Sequence, residues 1–231
     1  IYASYFSQMD AYSEGYAGIG VWRAAFKPFV DRIADNDIRL QWFCCDRSTG
    51  VDAEDKDGKP IRVTLLRDTE TPASVEYQAV KFIGTGRENI QAGTFSGWEL
   101  GDYIYMRSEE AYLIKIEALA HKNSPDAVTE LENFMKTRQP DYDYTFTNKA
   151  DLIEEIIYQK RVEFWGEGLE YIDNRRLNIP VDRTDETWGA ENNNHFSAAK
   201  FRYNQEERPF LYQLPISEIE NNSQISPSDQ N

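Results

Sequence analysis

Between Arg107 and Leu177 the chain reads as a set of helices that cannot close a core by themselves. Ile153, Ile156, Ile157 and Phe164 recur at the 3.6-residue period and predict a helix over about Lys149 to Trp165 with one apolar face. Ser124-Pro125 has the form of an N-cap followed by proline at the first helical position, where the missing N–H costs nothing, so another helix is expected to begin there. Ala127 and Leu131, four apart, with Pro140 soon after, follow the second-helix pattern of a repeat hairpin, and Met106 to His121 supplies the preceding helix. One hairpin of this kind cannot bury its own faces and is stable only by stacking on neighbours. It therefore needs further helices, either from elsewhere in the chain or from a portion N-terminal to it.

Three segments are expected: 1–105, loop-rich with short strands; 106–178, helical; and 179–231, a loop-rich C-terminal segment. The first is rich in Gly, Tyr and Asp and holds two β-prone runs, Ile38 to Cys45 and Ile61 to Leu66. Asp57-Gly58 lies between them and is a strong hairpin-turn signal. The acidic stretch around it invites a calcium reading, but EF-hand spacing would put Ala53 at the first ligand position and Thr64 at the twelfth, where a carboxylate is required, so a solvated turn is expected. Cys44 and Cys45 are adjacent, which suits small core residues and not a disulfide framework.

A 231-residue chain with 40% apolar residues can bury a sizeable core. Its net charge of -15 would repel a phosphate backbone, so nucleic acid and anionic membrane surfaces are not expected partners. No run of about 18 apolar residues is present to span a bilayer. The first residues lack the basic and apolar regions of a signal peptide, so either it was removed or the sequence starts within a longer protein.

Catalytic and cofactor motifs are thinly supported. Glu163, Glu167, Glu170 and Asp173, spaced four, three and three, would line one helical face. Glycoside hydrolysis needs two carboxylates facing each other across a cleft, so ion pairs with Lys160, Arg161, Arg175 and Arg176 are the expected role. Gly166 and Gly168 are expected to bend or weaken the helix there. His121 and His195 are the only histidines, and no G-x-S-x-G elbow, phosphate loop or zinc spacing occurs. No cofactor and no metal are expected.

The aromatic inventory is what remains. Sugar rings present apolar C–H faces that pack on Trp and Tyr, while their hydroxyls need polar partners at the rim. Two loops offer that mixture. Asp10 to Arg23 carries Tyr12, Tyr16 and Trp22 among glycines, and Val181 to Phe196 carries Trp188 beside Asp182, Arg183 and three asparagines. Tyr12, Tyr16, Trp22 and Trp188 are the candidate carbohydrate-binding residues; the alternative is that they cover the edge of a core. Tyr142, Tyr144 and Phe146 alternate along one side of an extended segment and could serve as an edge seal.

Several elements, in order, resemble the C-terminal half of the SusD/RagB family, the surface nutrient-binding lipoproteins of Bacteroidetes. They are Asp37-Ile-Arg39 before Trp42-Phe43; Arg107, Glu110, Leu113-Ile114 and Glu117-Ala118; Lys160-Arg161, Glu163-Phe164, Glu167-Gly168, Asp173 and Arg176; and the closing Pro215, Glu218-Ile219 and Asn222. Lys160 stands where the family usually has Glu, and Glu170 where Arg is common. The resemblance implies a mainly α SusD-like fold with tetratricopeptide-like helix pairs plus a loop-rich region with short strands. Most of those pairs would come from an N-terminal half that precedes this segment. It further implies non-catalytic capture of oligosaccharides, or occasionally peptides, as a lid on a SusC-like TonB-dependent outer-membrane transporter. The implied location is the outer-membrane surface, with the membrane touched only through an N-terminal lipid anchor outside this chain. A helical-repeat scaffold binding protein or peptide alone, and more distantly a glycosidase, are the competing readings.

Overall fold

The computed structural model describes residues 25–44, 51–54, 60–63, 78–79, 81, 105–207 and 214–229. The chain divides into two compact units, Ile1–Gly166 and Glu167–Asn231.

The first unit is organised by three helices, α2 (Ser108–His121), α3 (Asp126–Lys136) and α4 (Lys149–Glu163), which follow a short α1 (Lys27–Val30). α2 packs on both α3 and α4. Leu113, Ile116 and Ala120 of α2, Ala127, Leu131, Phe134 and Met135 of α3, and Leu152, Ile156, Ile157 and Val162 of α4 are buried. At about 1.5–3 kcal/mol for each large apolar side chain removed from water, this packing, and not helix propensity, holds the three together. The predicted apolar stripe of α4 is present, with Ile156, Ile157 and Phe164 buried and Ile153 half-buried.

The helix starts follow their caps. Asn148 Oδ1 accepts from the N–H groups of Ala150 at 2.8 Å and Asp151 at 3.1 Å, satisfying donors that a helix start leaves open. Ser124 Oγ accepts from Asp126 N–H at 3.3 Å, so α3 starts one residue later than expected, with Pro125 as its cap.

Around α4 sits an aromatic cluster in which Val30, Ile33, Phe43, Tyr158 and Val162 are buried, joined by Phe29, Leu40, Trp42 and Trp165. Phe43 meets Phe29 and Trp165 edge-to-face, at centroid distances of 5.8 and 5.5 Å.

The run Ile38 to Cys45, expected to be extended, is mostly not. Ile38–Trp42 is a 3₁₀ turn, and only Phe43–Cys44 (β1) is strand, paired antiparallel with β4 (Gln78–Ala79). The cause is Asp37, whose carboxylate accepts from the Arg39 N–H at 2.8 Å and turns the chain so that the Arg39 side chain is buried. Cys45 lies outside the described residues.

A hairpin is present, but its first strand is not the run Ile38 to Cys45: β2 (Val51–Glu54), drawn largely from the acidic stretch expected to be a turn, pairs antiparallel with β3 (Pro60–Val63), with Glu54 opposite Pro60, and Asp57-Gly58 lies outside the described residues. Pro60 opens its strand, where its missing N–H is tolerated. Tyr142, Tyr144 and Phe146 do not share one side. Tyr142 is buried and donates to Glu155 at 3.3 Å, whereas Tyr144 is exposed, lies 4.7 Å from the Phe146 ring and donates to Asp151 at 3.0 Å.

The carboxylate ladder is also corrected. α4 stops at Glu163, Gly166 and Gly168 take φ of 79° and 85°, and Glu170 and Asp173 belong to a separate helix, α5 (Leu169–Leu177). Left-handed backbone at two glycines ends the helical periodicity, so no continuous face exists.

In the second unit, α5 is followed by a two-stranded ribbon of β5 (Val181–Asp182) and β6 (Arg202–Tyr203), with a single-turn α6 (Asp185–Trp188) in the loop between them. Gln205 is buried; its Nε2 donates to Ile179 O at 2.6 Å and its main-chain carbonyl accepts from Arg175, which fastens the ribbon to the end of α5. α7 (Ile216–Asn221) comes last, with Pro215 as its cap.

Candidate binding surface

Trp188 is the one sequence-predicted site residue within the described part; Tyr12, Tyr16 and Trp22 lie outside it. It ends α6 and is 37% exposed. Its indole Nε1–H donates to the carbonyl of Asp182 at 2.9 Å, so the polar edge of the ring is already satisfied and what it offers outward is apolar.

Asp182 organises this loop. One carboxylate oxygen accepts from the N–H of Thr184 at 3.0 Å and from its hydroxyl at 2.7 Å. The other accepts from the Thr187 hydroxyl at 2.7 Å and from Arg202 at 2.8 Å. Burial alone would raise the pKa of Asp182, but these donors and the Arg202 charge hold it down at about 2. Asp182 thus grips both ends of the turn on which Trp188 stands. A ring fixed in this way loses little conformational freedom when a ligand packs on it.

A second set of bonds closes the loop. Lys200 donates to both oxygens of Asp185, at 2.7 and 2.9 Å, and the buried Asn193 donates to Asp185 at 2.8 Å and to Arg183 O at 3.0 Å. His195, whose N–H donates to Asn193 Oδ1 at 3.1 Å, is pushed below its ordinary pKa by burial and by the nearby Arg183 and Lys200 charges. Arg183 lies over the Phe201 ring at 5.0 Å, and Phe201 in turn packs on Tyr203.

Of these supporting residues, Asp182, Arg183 and the asparagines stand out in the sequence as polar neighbours of Trp188, whereas Thr184, Asp185, Thr187, Lys200 and Arg202 do not. Asp182-Arg183-Thr184 is the local pattern of a side chain bonding to the backbone two residues on, so that part was detectable. Lys200 and Arg202 reach the loop only because the strands pair.

The densest charge cluster has a different character. Glu163, buried at the end of α4, accepts from Arg107 at 2.9 Å and from Arg138 at 2.9 and 3.2 Å, with Arg39 at 3.5 Å. Arg39 also bonds Asp37 at 2.6 Å and Gln159 at 2.5 Å. Burial works against the Glu163 charge, but hydrogen bonds from Arg138 and Arg107 and the surrounding guanidinium charges hold its pKa at about 2. Lys160 reaches Glu117 of α2 at 3.2 Å, and both are buried. Held ionised at neutral pH by the guanidinium groups around it, Glu163 has no proton there to give a leaving group. Each described carboxylate that departs clearly from its ordinary range, namely Glu130, Asp151, Glu163, Asp182 and Asp185, departs downward. Among the described residues no group of His, Cys, Asp and Glu is arranged to hold a metal ion, and no helix is long and apolar enough to cross a membrane.

Comparison with known proteins agrees with this architecture. No curated protein matches the chain. Among solved structures, a SusD-like carbohydrate binding protein from Bacteroides vulgatus ATCC 8482 superposes with a TM-score of 0.51 at 19% identity. The match covers 97% of this chain and 44% of that one, so the chain spans less than half of its structural relative, and the likeness is one of fold. The sequence profile of the SusD family matches residues 25–231, which include the Asp37-Arg39-Glu163 cluster and the Trp188 loop. The chain belongs to the SusD family.

Proposed function

We propose that this chain is part of a non-catalytic glycan-binding protein of the bacterial cell surface, a lipid-anchored outer-membrane protein that delivers oligosaccharide to a SusC-like TonB-dependent transporter. The family match over residues 25–231 carries the reading. It is supported by the carbohydrate binding of the structural relative from Bacteroides vulgatus and by the half-exposed indole of Trp188, pinned through its N–H and set among polar side chains. Tyr12, Tyr16 and Trp22 are proposed as further stacking positions. Delivery to a transporter requires only that the glycan be held and released, which agrees with carboxylates kept ionised in hydrogen bonds and ion pairs.

The test is a glycan array followed by titration calorimetry on the full chain, with Trp188→Ala and Trp22→Ala variants. Saturable binding that weakens tenfold or more in one variant, with the circular-dichroism spectrum retained, supports the reading, since an aromatic platform contributes about 1–1.5 kcal/mol beyond its buried area. Hydrolysis of any bound oligosaccharide, or absence of binding to every glycan while a peptide is bound, overturns it.

A further inference from the structure

We infer that an open hollow beside the Asp37–Arg39 turn is a second sugar-binding subsite, one that takes a short neutral saccharide; this rests on the glycan-binding reading above. The hollow has a volume of about 360 Å³ and is lined by Asp35, Asn36, Asp37, Ile38, Leu40 and Gln41. That is toward the small end of the roughly 300–1,000 Å³ usual for small-ligand sites. The turn that buries the Asp37–Arg39 pair creates it. With Asp37 and Arg39 drawn inward, the residue between them is turned outward, and Ile38 is 54% exposed. Two charged side chains are thus buried and an aliphatic one faces solvent, with the half-buried Leu40 beside it in the lining. Their C–H surface suits the apolar face of a pyranose ring. Backbone bonds hold the wall. Asp37 N–H donates to Ala34 O at 2.9 Å, Ile38 N–H to Arg138 O at 2.9 Å and Leu40 N–H to Asp37 O at 3.0 Å, while Asn36 Nδ2 donates to Asp141. A wall fixed in this way is formed before a ligand arrives, so binding need not order it.

The lining also carries unspent polar groups. Asp35, Asn36 and Gln41 are exposed. Among the described residues neither the Asp35 carboxylate nor the Gln41 amide has a hydrogen bond or ion pair, and Asn36 spends only its amide N–H, leaving its Oδ1 open. Asp37, by contrast, is engaged, with both of its carboxylate oxygens bonded to Arg39. The Asp35 carboxylate and the Asn36 and Gln41 amide oxygens accept from sugar hydroxyls, and the Gln41 amide N–H groups donate to ring or hydroxyl oxygens. An apolar patch and both kinds of polar group that a pyranose requires therefore stand in one hollow. It belongs to the first compact unit and Trp188 to the second, so each can be altered without touching the other.

The experiment titrates the full chain with neutral malto-, xylo-, manno- and galacto-oligosaccharides, and follows hydrogen exchange with and without the series that binds. The variants are the Asp35→Ala/Gln41→Ala pair, which strips the polar groups, and Ile38→Ser, which removes the apolar one. All three positions are exposed, and the Asp37–Arg39 pair that anchors the turn is left in place. The expected result is binding of at least one series, weakened fivefold or more in the alanine pair and about threefold in Ile38→Ser, with exchange across residues 35–41 slowed by the sugar. Binding unchanged in both variants, with exchange at 35–41 unaltered by a sugar that is bound, overturns the hollow as a subsite and leaves the glycan-binding reading in place. No binding of any neutral series by the parent chain overturns both.

Discussion

Glu163 and Asp182 have the same chemistry and opposite reach. Both are carboxylates surrounded by donors and held at a pKa of about 2. The partners of Glu163 are Arg39, Arg107 and Arg138, which lie 124, 56 and 25 residues away, so one side chain joins the N-terminal turn and the ends of α2, α3 and α4. The partners of Asp182 lie 2 to 20 residues away and shape a single loop. A carboxylate with distant partners holds a core together, whereas one with local partners presents a side chain. Losing the first should destabilise the helical unit, and losing the second should loosen the Trp188 loop and little else.

The largest effect expected is from Glu163→Ala. It leaves the buried Arg39 and the half-buried Arg107 and Arg138 without their common counter-ion and should cost roughly 3–5 kcal/mol, read as a shift in the urea midpoint. The same residue governs acid sensitivity. Its folded pKa of about 2 lies below its ordinary 4.5, so its contribution is fully present above about pH 4.5 and is lost as pH falls toward 2. In Glu163→Gln the slope of stability against pH between those limits should flatten. An unchanged slope would show that the cluster does not stabilise the fold through this charge.

Lys160→Glu comes next. Glu117 already occupies the facing position at 3.2 Å, so the change sets two buried carboxylates against each other, at a cost of roughly 2–4 kcal/mol by thermal denaturation. Asp182→Ala should cost only about 1–2 kcal/mol. Its signature is local: faster hydrogen exchange across residues 182–202 and weaker glycan binding with the helical unit intact. Equal exchange throughout the chain would erase the contrast between the two carboxylates. Gly168→Ala has the smallest effect, about 1 kcal/mol, because the added Cβ meets nothing within 4 Å and the cost is the left-handed backbone alone.

Periodic features were legible from the chain. The apolar stripe of α4 and the α2–α3 hairpin repeat at intervals of a few residues and declare themselves locally. The run Ile38 to Cys45 misled because β-prone composition was outweighed by one capping carboxylate and by the need to bury Arg39 in a cluster whose other members come from three helices. The spacing of Glu163, Glu167, Glu170 and Asp173 misled for a related reason: helical periodicity counts residues across a break that two glycines impose. At the candidate surface Trp188 was legible as a loop aromatic among polar residues. Its orientation was not, because Arg202 and Lys200 arrive from the far side of the strand pair.

By itself, then, the sequence determined α2, α3, the apolar stripe of α4 and the family, since each depends on residue types at short fixed spacings. Only the tertiary structure decided which charges are buried, which carboxylate anchors the core and which steadies a loop, and that the indole N–H of Trp188 is spent on the Asp182 carbonyl. Those outcomes depend on side chains up to 124 residues apart coming within 3.5 Å, and a linear order of residues carries no distance of that kind.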